Sequence, residues 1–130
     1  MDFFKEHGII SQLTPPETPQ LNGVSERRNQ TLLDMVRSMV SYMDWPTFLW
    51  GFMLQTAAYI LNRVPSKSIF TIPYEIWHNK ALSFKHVKIW GCPSYIKKLK
   101  TDKLEVRSIQ DRFIGYPKDS LGYYFYLPAE

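Results

Sequence analysis

Cysteine is nearly absent: Cys92 is the single one in 130 residues, so no disulfide can form within the chain and no cysteine-based zinc cluster can be assembled. Histidine is scarce as well. His7, His78 and His86 have no metal-ligand spacing to one another, and each reads as an ordinary surface or core histidine without assigned chemistry. Long apolar runs are missing too. The most membrane-like stretch, "WPTFLWGFMLQTAAYILNRV", is broken by Pro46, Thr47, Gly51, Gln55 and Thr56 and falls short of the roughly 20 uninterrupted apolar residues of a spanning helix. It reads as a buried helix, and no membrane partner is expected. The opening "MDFFKEHG" carries two acids and a lysine and does not read as a signal or transit peptide. No internal repeat or low-complexity tract occurs.

What is present describes a folding sequence. Hydrophobic residues make up 45%, aromatic ones 15% and charged ones 22%, far from the signature of disorder. A formal charge of +4 favours polyanionic partners only weakly. Residues 2–7 read as the end of a helix whose beginning is absent, stopped by Gly8. "IISQL", residues 9–13, is consistent with a strand, and Pro15, Pro16 and Pro19 then impose an extended loop.

Asn22 is a good N-cap, and a helix is expected over residues 22–43. Leu32, Met35, Val36, Met39, Val40 and Met43 form one apolar stripe at helical spacing, with Glu26, Gln30, Leu33 and Arg37 in the row along its edge. Asp44 is placed to cap a second helix over 45–63, with Pro46 in its first turn, and this helix is apolar nearly all round. Pro73 starts a short third helix in "PYEIWHNK". From residue 80 the character changes. Residues 80–118 hold ten Lys or Arg against Asp102, Glu105 and Asp111, and short aromatic and β-branched segments alternate with Gly, Pro, Asp and Ser. Most of the strand is therefore expected in 86–127, and a boundary near 80–85 separates a first part, 1–80, from a small β unit, 81–130.

Five blocks in order carry a family resemblance: "TPQLNGVSERRNQT", "AAYILNR", "PYEIW", "IWGCPSY" and "RFIGYP". Together they resemble the integrase region of copia-type retrotransposon Pol polyproteins, with Trp90 in place of the usual aromatic before Gly91. The resemblance implies an α+β chain: a truncated ribonuclease H-like integrase core, one strand plus helices, followed by a small antiparallel β-barrel-like unit. It also implies that Glu26, the acid of the "ER" pair, corresponds to the third carboxylate of an Asp-Asp-Glu triad holding two divalent ions, Mg²⁺ or Mn²⁺.

The chemistry is consistent with that assignment. Two hard cations about 4 Å apart can serve the nucleophile and the leaving oxygen of an in-line phosphoryl displacement, and they take oxygen ligands. A glutamate in a first helical turn is held by the helix, and the positive end of the dipole favours its ionised form. Taken by its spacing alone, Glu26 reads first as a solvated residue complementing that dipole, and its catalytic role is what the resemblance implies. In the family pattern the second aspartate stands further upstream than the 25 residues preceding Glu26, and Asp2, Glu6 and Glu17 do not occupy the triad's positions. The chain is therefore expected to be a piece of an integrase, inactive alone, with no tightly bound metal of its own.

DNA, as transposon ends and target, is the expected partner. Gln20, Asn22 and Gly23 lie in the loop before the catalytic helix, and Arg27, Arg28, Asn29 and Arg37 surround it; the other reading of the arginines is a solvated helix face. Lys97 and Lys98 would form a second phosphate-contacting patch, with Tyr95 and Trp90 for stacking, or else serve to discourage edge pairing. Tyr123, Tyr124, Phe125 and Tyr126 are expected in the core. Self-association is expected through the apolar second helix, and the parent activity belongs to the nucleus after a cytoplasmic particle stage. A different class stays open: a non-catalytic nucleic-acid-binding or oligomerisation module, or a relic without function.

Overall fold

A computed structural model describes residues 2–67 and 69–127, with the side chain of Asp2 left out of the description. The chain forms two units, Met1–Thr31 and Leu32–Glu130.

In the first unit, helix α1 (Asp2–Glu6) ends where Gly8 takes φ +66. The Ile9 N–H donates to the Phe4 carbonyl at 2.7 Å and the Gly8 N–H to the Lys5 carbonyl at 3.1 Å, the paired bonds of a Schellman stop. Beyond it, residues 9–13 are not a strand, contrary to the pattern-based expectation. A strand needs a neighbour for its N–H and C=O groups, and no described segment pairs with this one; Ile10 and Leu13 are 84% and 95% exposed. The proline loop closes on itself. Thr18 Oγ1 donates to the Pro15 carbonyl at 2.7 Å, and a 3-10 turn over Pro19–Asn22 leads straight into the next helix.

That helix, α2 (Gly23–Tyr42), has 20 residues and is the longest among those described. Thr31 and Ser38 fit inside it because their hydroxyls donate back to the Arg27 and Asp34 carbonyls at 2.9 and 3.0 Å. Leu32, Met35, Val36 and Met39 are half-buried along the foreseen stripe, while Val40 is exposed. The second helix is shorter than expected. Pro46 sits at ψ 133, outside the helical region, so Asp44 caps nothing; a 3-10 turn, Thr47–Leu49, intervenes before α3 (Trp50–Leu61). The short helix α4 (Pro73–His78) opens on its proline and ends at Asn79, which adopts the left-handed conformation glycine often supplies.

All three strands among the described residues lie in the expected 86–127 window: β1 (Pro93–Lys97), β2 (Ser108–Gly115) and β3 (Tyr124–Tyr126). They form an antiparallel sheet in the order β1-β2-β3, with Tyr95 opposite Gln110 and Arg112 opposite Tyr126. The α+β class is as expected, but the sheet is open rather than barrel-like. Closure requires more strands with a consistent tilt and stagger, and here β1 and β3 are both edges.

One face of α3 packs on β2. Leu49, Met53, Trp90 and Ile114 make the core, flanked by Val36, Met39, Trp45 and Tyr126. The carbonyl of Ile114 uses both lone pairs, accepting from Thr56 Oγ1 and Trp90 Nε1, each at 3.1 Å. Gly91 is demanded by this packing: its φ is +76, and a Cβ there would stand 2.7 Å from Met43 Sδ. The core thus joins residues from both sides of the boundary expected near 80–85.

Candidate functional site

Glu26 is in the first turn of α2 and exposed. The helix starts there because the 3-10 turn ends at Asn22, whose Oδ1 accepts a hydrogen bond from Thr14 Oγ1 at 3.1 Å. Gln20 and Asn22 are exposed and Gly23 half-buried. Gly23 has φ −58, open to any residue, and nothing lies within 4 Å of where its Cβ would be, so neither backbone nor packing calls for glycine. Arg27 folds back along its own helix, its Nε donating to the Gly23 carbonyl at 3.1 Å. Arg28 and Asn29 are exposed on the turns that follow Glu26. Among the described residues, no three His, Cys, Asp or Glu gather as a metal site would require. Glu26 therefore belongs to no three-ligand cluster within them.

The remaining candidates lie in the second unit. Arg37 makes an exposed ion pair with Asp34 at 3.1 Å, so its charge is locally offset. Lys97 ends the edge strand β1, sharing an exposed face with Tyr95, which is 71% exposed; Lys98 follows, half-buried, with its N–H donating to the Arg107 carbonyl at 2.9 Å. Trp90, expected as a stacking ring, is only 6% exposed and belongs to the core. Of the terminal aromatics, Tyr123 and Tyr126 are half-buried, while Tyr124 and Phe125 are exposed rather than in the core.

A second arrangement went unseen in the sequence. The Arg63 guanidinium lies 3.4 Å from the centre of the Tyr59 ring and 4.3 Å from that of Tyr74. Tyr116 stacks on Tyr59 and His78 on Tyr74, both at 4.0 Å between centres. The Tyr59 hydroxyl is 2.6 Å from His86 Nε2, and Tyr123 donates to the His86 carbonyl at 2.8 Å. Burial raises the Tyr59 phenol above its ordinary value, against the opposing charge of Arg63, and burial raises Tyr116 in the same sense, against its hydrogen bond from the Lys88 backbone. The pairs Tyr59 with Arg63 and Tyr74 with His78 are each four residues apart on helical stretches, a legible spacing. Their meeting, and the part played by Tyr116, depend on contacts distant in sequence.

Comparison with known proteins finds relatives among transposon polyproteins. The chain is 40% identical over 132 aligned residues, 99% of its length, to the retrovirus-related Pol polyprotein from transposon TNT 1-94 of Nicotiana tabacum. It is 30% and 27% identical, over 88% of its length, to those from transposons RE2 and RE1 of Arabidopsis thaliana. It spans 10% of the tobacco protein and 8% of each of the other two. No protein-family model matches the chain, and no solved structure matches it. Over nearly its whole length, the chain is a homologue of one segment of the retrovirus-related Pol polyproteins of plant transposons.

Proposed function

We propose that the chain corresponds to the part of a copia-type integrase that bears the last acid of a ribonuclease H-like Asp-Asp-Glu site, with Glu26 as that acid and DNA as the substrate. The observation that carries this reading is the placement of the "SERRN" stretch. Glu26 stands exposed in the first turn of a 20-residue helix, in a unit with no buried residue among those described, so packing does not account for the acid and its side chain is open to a ligand. Gly23 points the same way, because glycine is unnecessary there for the fold but would let a DNA backbone approach the start of the helix. Arg27, with its Nε tied to Gly23, holds its charge beside that approach, and Arg28 and Asn29 extend the face.

The described residues do not complete a metal site, since Glu26 is not joined by two further ligands. One carboxylate cannot hold two ions at the two ends of a displacement, so Mg²⁺ or Mn²⁺ chemistry would need aspartates from outside them. Acting alone, the 130-residue chain would contact DNA without cleaving it. Arg37 and the Lys97–Tyr95 face would add weak, salt-sensitive contacts, and nuclear action follows from the same reading. Self-association through the exposed Phe48 and Trp50, ahead of and at the start of α3, fits this picture.

The test is a longer polypeptide in which the upstream segment of the tobacco relative precedes residue 1. It is expected to cleave and join transposon-end DNA with Mg²⁺ or Mn²⁺, and Glu26→Gln is expected to abolish both activities while preserving the helix by circular dichroism. Full activity of the Glu26→Gln polypeptide would place the third acid elsewhere. Turnover by the 130-residue chain itself would refute the need for outside ligands.

A further inference from the structure

A cavity of about 610 Å³ opens between the end of α3, helix α4 and the segment after β2, within the second unit. Its size lies inside the roughly 300–1,000 Å³ range of small-ligand sites. Arg63, Lys118, His78 and His86 line it, and among the described residues none of those lining it is acidic. Asp119, next to Lys118 in the chain, is exposed and is not part of the lining.

Arg63 is the centre of the arrangement. Tyr59 and Tyr74 hold its plane, and Nη1 donates to the Tyr59 carbonyl at 3.2 Å, so the fork is preset rather than free to sample rotamers. Its Nε is buried without an acceptor, and no carboxylate among the described residues pairs with it. Ring faces offset part of a half-buried positive charge but do not neutralise it, and an oxyanion would. A carboxylate would engage the guanidinium alone. A phosphate has further oxygens for Lys118 and for the Ser120 hydroxyl, which also lines the cavity. Both tyrosine rings nearest Arg63 already carry stacked partners, so they hold the cation rather than offer a platform to a base.

We propose that this cavity is a phosphate-binding site, in which Arg63 and Lys118 take the phosphate of a nucleotide or of a nucleic-acid strand with no preference for the base. The site does not rest on the role of Glu26. The 130-residue chain would be titrated by calorimetry, at low and moderate salt, with inorganic phosphate, thymidylate, adenylate and a short oligothymidylate. Binding of the phosphate probes is expected, equal for the two nucleotides and weakened by salt. Lys118→Ala, a change at an exposed position that leaves folding intact, is expected to weaken it about fivefold, and Arg63→Gln about tenfold or more. Every titration is repeated in an Arg27→Ala, Arg28→Ala background, which removes the α2 face from the measurement, and the responses of inorganic phosphate and both mononucleotides to Lys118→Ala should be the same there. Tighter binding of the oligonucleotide than of thymidylate, lost in Lys118→Ala, assigns a strand as the source of the phosphate; equal binding assigns a small phosphate. Failure of every probe to bind, or binding indifferent to Lys118→Ala, overturns the proposal.

Discussion

From residue 3 to residue 31 only Thr18 and Gly23 are less than exposed, and the backbone is held by a Schellman stop, a hydroxyl-bonded proline turn and one short run of 3-10 turn. In Leu32–Glu130, Leu49, Met53, Ala57, Trp90, Phe113 and Ile114 are buried, and one helix and one strand share a core. The densest family block, "TPQLNGVSERRNQT", falls in the region without a core. Packing accounts for Gly91 in the second region but not for Gly23 in the first, where nothing crowds the position. Packing therefore explains residue identities in the second region and leaves those of the first unexplained by the fold.

That contrast breaks if truncations in the two regions cost the same. Leu49→Ala, inside the core, should destabilise the chain by about 2–5 kcal/mol in urea unfolding followed by tryptophan fluorescence. Gly91→Ala should cost about 1–3 kcal/mol, because the left-handed backbone and the Met43 thioether both oppose a Cβ; a loss near zero would mean that this turn relaxes freely. Thr56→Val should cost about 1 kcal/mol, since Trp90 still satisfies the Ile114 carbonyl after the hydroxyl is gone. Alkaline titration sharpens the same comparison. Burial raises the phenols of Tyr59 and Tyr116 above the unfolded value of 10.0, so the unfolded chain ionises first. Their contribution is whole below pH 10.0 and is lost as the pH climbs through the folded values, which a declining unfolding midpoint above pH 10 would register. Leu13→Ala, in the exposed region, should change stability by no more than about 0.5 kcal/mol, and a larger loss would reveal packing there.

Local signals were legible where local bonds decide the outcome. The glycine stop at Gly8, the proline start of α4, the helix from Gly23 and the half-buried stripe of α2 all follow from bonds and spacings within a few residues. Glu26 was legible as a helix-borne acid for the same reason. The second helix starts later than its sequence pattern places it because Pro46, whose φ of −58 would suit a first helical turn, takes ψ 133, an angle that the proline ring leaves free.

Sequence alone therefore determined helix α2, the stop at Gly8, the start of α4 and the chemical character of the "SERRN" turn, since these rest on hydrogen bonds three to five residues apart and on side-chain type. Only the tertiary structure decided the rest. "IISQL" stays unpaired because strand formation depends on a partner segment, whatever the β propensity of the run. Trp90 is withdrawn from solvent, and the sheet stays open, because burial and closure depend on which segments meet. Arg63 acquires its aromatic clamp by the same route: Tyr59 lies one helical turn away, but Tyr74 and Tyr116 are brought to it by folding, and no periodicity in a single chain segment encodes that meeting.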